Sequence, residues 1–218
     1  MALVINPGRL ALRGVWSQRA LGLGLCYLAV MNFMRLAALA LVLMAAACGR
    51  SDWHATDISG AMPALDFSMT RANDGKVVGA ADYRGKVVVL YFGYTHCPDV
   101  CPTTLANLSE VLGKLGARAD EVRVLFVSVD PNRDSEALMK TYVNSFSPQI
   151  DGLRGTDNQL TTLARRYRIA YSVTPGTNYE VMHSNAVFFF GRDGKARLVT
   201  TSTDDVAGLT KDIQRLLE

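Results

Sequence analysis

The stretch that decides the fold is Val87-Val88-Val89-Leu90-Tyr91-Phe92-Gly93-Tyr94-Thr95-His96-Cys97-Pro98-Asp99-Val100-Cys101-Pro102. Its first seven residues form an uninterrupted apolar run, the signature of a strand buried on both faces. Pro102 suits the first turn of a helix, where a missing N–H removes no hydrogen bond, and proline disfavours helical geometry at Cys101 just before it. Residues 97–101 are therefore expected in the loop that enters a helix. From Pro102 to Leu115, the residues Leu105, Leu108, Val111, Leu112 and Leu115 recur at helical spacing, and the pattern stops near Gly116. A second apolar run, Val122 to Val129, follows. Strand, helix and strand in this order make a right-handed crossover between parallel neighbours.

Outward from this unit, Asp74-Gly75-Lys76 marks a turn before it. Asp134 to Phe146 and Asn158 to Arg168 carry apolar faces at helical spacing. Ala186 to Phe190 and Ala196 to Thr201 form two strands joined across Asp193-Gly194, a strong hairpin signal. A last helix, Asp204 to Leu217, closes the chain. The order predicts an α/β protein of thioredoxin-like fold, a central mixed sheet covered by helices on both faces.

The chain of 218 residues, 49% hydrophobic and 20% charged, is long enough for one well-buried domain. Its net charge of +3 is dispersed, which excludes the electrostatic footprint of a nucleic-acid binder. The N-terminus has the order of an export signal: Arg35, an apolar core from Leu36 to Met44, then Ala45-Ala46-Ala47-Cys48-Gly49. Cys48 stands where a lipid-modified N-terminus would arise, and the segment resembles a bacterial lipobox with Ala45 in place of the usual leucine. Met31 or Met34 is then the expected start, with residues 1–30 read as a mis-assigned extension. The rival is an uncleaved membrane helix from Leu21 to Ala47, interrupted by Asn32 and Arg35. Either puts the following domain outside the cytoplasm and tethered to a membrane. Residues 1–48 are thus expected as signal or anchor, 49–62 as a polar linker and 63–218 as the folded domain.

Cys26 and Cys48 fall in the targeting region, so the domain keeps Cys97 and Cys101 as a pair. At a helix entrance the free N–H groups and the positive end of the dipole favour thiolate, so Cys101 is expected to be more acidic than a free cysteine. Thiolates select copper(I), zinc or iron–sulfur clusters, and an added imidazole lets a site accept both copper oxidation states. His183 is the candidate, because it precedes a strand expected to start near the cysteine loop. His54 falls in the linker and is set aside. The competing assignment is a structural disulfide. It would close a tiny loop and restrain the unfolded chain little, at a strand end where open α/β folds place ligands.

Phe92-Gly93-Tyr94-Thr95-His96-Cys97-Pro98-Asp99-Val100-Cys101-Pro102, Asp130-Pro131-Asn132-Arg133-Asp134 and His183-Ser184 resemble the signatures of the Sco/SenC family in order and spacing. The similarity runs from about Ala64 to the C-terminus. It implies one copper ion per chain, held by Cys97, Cys101 and His183. It also implies a metallochaperone for cytochrome c oxidase, with subunit II as target and other copper chaperones or thiol reductases as partners. The setting it implies is the periplasmic side of a bacterial envelope. One departure is Met182, where the family has an aspartate that would neighbour the histidine; Met182 itself is expected to pack. Asp134 is expected to cap the helix after it, and the resemblance adds a partner-facing or copper-adjacent role for residues 130–134. His96 is expected as an exposed loop histidine, and Tyr94 and Asp99 as loop-shaping residues.

The cysteines can also cycle between dithiol and disulfide, and only the dithiol binds metal. Two other functions compete with the chaperone: a thioredoxin-like oxidoreductase and a redox or copper sensor. A general reductase would carry Cys-x-x-Cys, whereas three residues intervene here. A peroxidase would want proline and threonine where Leu90 and Tyr94 stand.

Overall fold

The computed structural model describes residues 52–218 except Asn178, together with Met31 and Met34 nearer the N-terminus. In chain order the strands are β1 (Thr56–Asp57), β2 (Ser68–Arg71), β3 (Lys76–Gly79), β4 (Val87–Gly93), β5 (Val122–Ser128), β6 (Ile150–Arg154), β7 (Tyr171–Thr174), β8 (Glu180–His183), β9 (Val187–Phe190) and β10 (Ala196–Thr200). The helices are α1 (Val100–Leu115), α2 (Glu136–Asn144), α3 (Asp157–Arg166) and α4 (Val206–Leu216). Eight strands form one mixed sheet in the order β1-β10-β9-β4-β5-β6-β2-β3, while β7 and β8 pair only with each other. This is the mixed sheet flanked by helices that the sequence predicts, with β4 and β5 parallel through their full length, from Val87 opposite Val122 to Gly93 opposite Ser128.

Every residue of β4 is buried, as expected for a central strand with neighbours on both sides. The core gathers on it: Tyr91, Phe92, Phe126, Phe189 and Phe190 are fully buried. Burying one such aromatic side chain contributes on the order of 2–3 kcal/mol. Helix α1 packs against α4, and α2 lies against β6.

Three expectations are corrected. Helix α1 begins at Val100, so Cys101 lies inside its first turn rather than in the loop. The first intrahelical bond runs from Thr103 N–H to the Asp99 carbonyl. Pro102 is then the third helical residue, where N–H groups have no intrahelical partner anyway, and its bias against a helical Cys101 is overridden. Asp134 does not cap α2; Ser135 does, accepting from Leu138 N–H at 3.2 Å. Asp134 turns inward instead and is fully buried.

The third correction concerns the polar linker over 49–62, whose described part is docked onto the domain. His54 and Ala55 N–H donate to the two oxygens of buried Asp212 at 3.0 and 2.8 Å. The Arg215 guanidinium stacks on Trp53 at 4.4 Å, and β1 extends the sheet by pairing with β10. Polar composition hid this because the bonds are made by backbone groups. The expected signal or anchor, with Cys26 and Cys48, lies outside the described residues. Among the described residues no helix is long and apolar enough to cross a membrane.

Candidate metal centre

Strand β4 delivers the chain to the site and α1 carries it away. Gly93, the last residue of β4, sets the closeness of the approach. A Cβ there would stand 2.6 Å from Phe126 Cε2 and 2.9 Å from Cys101 Sγ, so only glycine leaves the sulfur its place. Cys101 is fully buried against the strand end, while Cys97, in the loop before the helix, is half-buried. Both thiols are free. The Cys101 N–H points at Cys97 Sγ at 3.4 Å, an orphan donor of the first helical turn turned toward sulfur.

His183 ends β8, which lies outside the main sheet. Its Nε2 is 3.4 Å from Cys101 Sγ. One atom from each of Cys97, Cys101 and His183 falls within 4.8 Å of the others. The three residues singled out from sequence thus converge, across 82 positions between Cys101 and His183. His183 Nδ1 lies 3.0 Å from the Ser184 carbonyl oxygen. A carbonyl only accepts, so the ring proton sits on Nδ1 and the Nε2 lone pair faces the sulfurs, the tautomer a metal ligand requires. Burial lowers the His183 pKa, with the Ser184 carbonyl opposing, so the ring is neutral at neutral pH. Tyr91 and Tyr94 present rings edge-on to the imidazole, with centroids at 6.1 and 5.9 Å.

The two thiols are not equivalent, and the expectation for Cys101 is corrected. Burial pushes its pKa up to about 12, only partly offset by the Tyr91 side chain and the Tyr94 backbone. The helix entrance acts on Cys97 instead. Burial there opposes the thiolate, but the backbone N–H groups of Cys101 and Asp99, with the Cys101 and Tyr94 side chains, outweigh it and hold the pKa below the ordinary thiol value. Position within the first turn decided which sulfur received the donors.

Two supporting devices were not read from sequence. Thr95 ties the cysteine loop to buried Asp134, through its N–H at 3.1 Å and its hydroxyl at 2.6 Å, and Ser128 adds another hydroxyl at 2.6 Å. The tip between β7 and β8 is held by Tyr179. Its hydroxyl donates to buried Asp130 at 2.5 Å, and the Arg133 guanidinium lies 3.8 Å over its ring while pairing with Asp130. The 130–134 motif thus contacts both the cysteine loop and the hairpin that bears His183. Tyr94, expected to shape the loop, is buried beneath His183. Asp99 occupies the N-cap of α1 without a side-chain cap bond.

His96 keeps to the exposed side, with Nδ1 3.7 Å from Asp134 and 3.1 Å from the Thr95 hydroxyl. Met182, expected to pack, is 68% exposed, because strand alternation turns it away from the face of His183. His54 sits beside Asp205, 3.3 Å away, and has no part in the cluster. Two thiols that deprotonate on binding plus a neutral imidazole make a donor set for a soft or borderline metal ion, and the same two thiols, no more than 4.8 Å apart, are the pair a disulfide would join.

Comparison with known proteins agrees with this geometry. Residues 58–218 match the family described as SCO1/SenC. The mitochondrial protein SCO2 homologue of Bos taurus is 40% identical over 153 residues, which cover 65% of this chain and 57% of the bovine protein. The chain spans little more than half of that relative's length. Among solved structures, ScoI of Bradyrhizobium japonicum with copper bound superposes with a TM-score of 0.65 at 36% identity, covering 71% of this chain and 99% of that one. Arabidopsis thaliana ScoI with copper bound gives 0.65 at 33% identity, covering 71% and 97%. With the family match spanning the whole of the sheet from β2 onward and all four helices, the chain belongs to the SCO1/SenC family.

Proposed function

We propose that the protein is a copper carrier that binds one copper ion per chain through Cys97, Cys101 and His183 and delivers it for assembly of the copper centre of cytochrome c oxidase. The observation that carries this reading is the convergence of two sulfurs and one imidazole nitrogen within 4.8 Å, with Cys97 and His183 part-exposed and Cys101 buried. Copper is bound in the Bradyrhizobium and Arabidopsis relatives, which supports the choice of cargo. The site is built to hold and to release: three donors leave a coordination position for an incoming ligand, and half-exposed Cys97 gives access to it. Exchange with a partner protein's disulfide would join Cys97 to Cys101, the two electrons and two protons passing to the partner's thiols, and would remove both thiolates and so gate loading.

Subunit II of the oxidase is the proposed recipient, with copper chaperones and thiol reductases as suppliers of metal and electrons. The proposed setting is the extracytoplasmic face of a bacterial membrane, with residues 1–48 as signal or anchor and Cys48 as the lipidated residue.

Copper stoichiometry and visible absorption of the reduced protein test the reading, in parallel with Cys97→Ala, Cys101→Ala and His183→Ala. One copper per chain, with a thiolate-to-copper(II) band lost or altered in each variant, supports it. A reduced wild type that binds no copper overturns it in favour of a thiol–disulfide oxidoreductase, the reading the same two cysteines otherwise support.

A further inference from the structure

Tyr91 is fully buried at the end of β4, and its hydroxyl is among the buried polar atoms that find no hydrogen-bond partner. Such a group is costly unless another state of the molecule gives it a partner. Strand alternation puts Tyr91 on the same face of β4 as Gly93, over which Cys101 Sγ rests. The ring stands beside the cysteine–histidine cluster, in contact with His183, whose Nε2 is 3.4 Å from Cys101 Sγ. Ring contacts fix the tyrosine in this pose: Phe126, its register partner on β5, lies at 6.1 Å and His183 at 6.1 Å.

Cys101 is the sulfur with the harder task. It is buried completely, yet a metal takes it as thiolate. An anionic sulfur at that depth calls for donors, and the unpartnered Tyr91 O–H, on the face of β4 over which that sulfur rests, is one that can turn to it.

Resting on the copper reading above, we infer that the Tyr91 hydroxyl is a positioning residue that donates its hydrogen bond to the Cys101 thiolate once metal is bound. The bond draws electron density from sulfur, weakens its donation to the metal and raises the copper reduction potential, as hydrogen bonds to a cysteine ligand do in other copper sites. The proton stays on the phenol oxygen throughout. A single hydroxyl thus tunes how firmly the buried thiolate holds its cargo.

Tyr91→Phe tests this by removing one oxygen and leaving the ring in place. Tyr142→Phe is the matched control, since its hydroxyl is also buried without a partner but lies behind Phe126, 5.6 Å ring to ring. With wild type and both variants loaded to one copper per chain, Tyr91→Phe is expected to move the thiolate-to-copper(II) band to longer wavelength and lower the copper potential. Tyr142→Phe is expected to match wild type in both the band and the potential. A Tyr91→Phe spectrum and potential equal to those of wild type overturn the inference and leave the copper reading standing, and so do equal shifts in both variants. Failure of the wild type itself to bind copper removes the reading beneath it.

Discussion

Cys97 and Cys101 are four residues apart and differ in nearly everything that governs a thiol. Cys97 is half-exposed and receives N–H donors from the helix entrance, whereas Cys101 is sealed under the strand end with its pKa pushed up to about 12. In the reduced, metal-free protein at neutral pH, iodoacetamide should therefore label Cys97 first, with Cys101 slower by at least about tenfold, since thiolate fraction and access both favour Cys97. Mass spectrometry of partly alkylated peptides checks this, and equal labelling would contradict the assignment. The proton on Cys101 has a further consequence. Metal must displace it, so copper affinity should rise with pH by about tenfold per unit while Cys101 remains protonated below that pKa. Titrations at three pH values in one competing ligand measure the slope. Gly93 is the third residue of weight here. Gly93→Ala should displace Cys101 Sγ and Phe126, costing about 1–3 kcal/mol of stability and weakening metal binding more than a generic core overpacking would. Denaturant unfolding and copper titration of the same variant separate the two effects. Both cysteines were legible in the sequence, whereas the role of Gly93 emerged with the packing around it. The inequality of the cysteines was not legible, because it depends on where the helix begins.

At the scale of elements, the hairpin β7–β8 stands apart from the main sheet and carries one of the three donors. Its strands are short and half-exposed, so their own pairing stabilises them little. Tyr171 and Val181 pack it on the core, and contacts at its two ends fix it further. At the base, Ser184 N–H donates to the Ala170 carbonyl at 2.9 Å; at the tip, Tyr179 is clasped between Arg133 and Asp130. Tyr179→Ala should release the tip at a local cost of about 1–3 kcal/mol, from one charge-associated hydrogen bond and one cation–π contact. Hydrogen exchange should accelerate through residues 171–183 while β4 and β5 stay protected. Unchanged exchange in the hairpin would show that the base and the core packing hold it. Sequence reading placed His183 before a strand but missed β7 and β8, since two four-residue strands separated by a turn with Pro175 and Gly176 give no periodic signal. It missed β6 for a related reason. Asp151 and Gly152 are poor strand formers, and they are tolerated because Asp151 meets the Tyr83 hydroxyl at 2.9 Å and Gly152 gives Met139 room.

For the molecule as a whole, the N-terminal segment closes one edge of the sheet and is held by a side chain from the last helix. Asp212 accepts both His54 and Ala55 N–H groups from a buried position. Asp212→Ala should strip β1 from β10 and lower stability by about 2–4 kcal/mol, from two bonds to one buried acid, with copper stoichiometry unchanged because the site lies on other elements. Thermal unfolding beside a copper titration reads both, and a stability equal to wild type would show that the segment docks without Asp212. The sequence by itself determined the βαβ unit, the Asp193-Gly194 hairpin, the mixed α/β class and the three candidate donors. Those features rest on local periodicity, turn chemistry and residue type, which a linear chain displays. Only the tertiary structure decided that Cys101 is buried and Cys97 acidified, that Asp134 braces the cysteine loop, that Tyr179 clasps the hairpin and that the polar segment after residue 52 belongs to the fold. Each of these depends on partners distant along the chain, and the environment of a side chain is set by what packs against it in space.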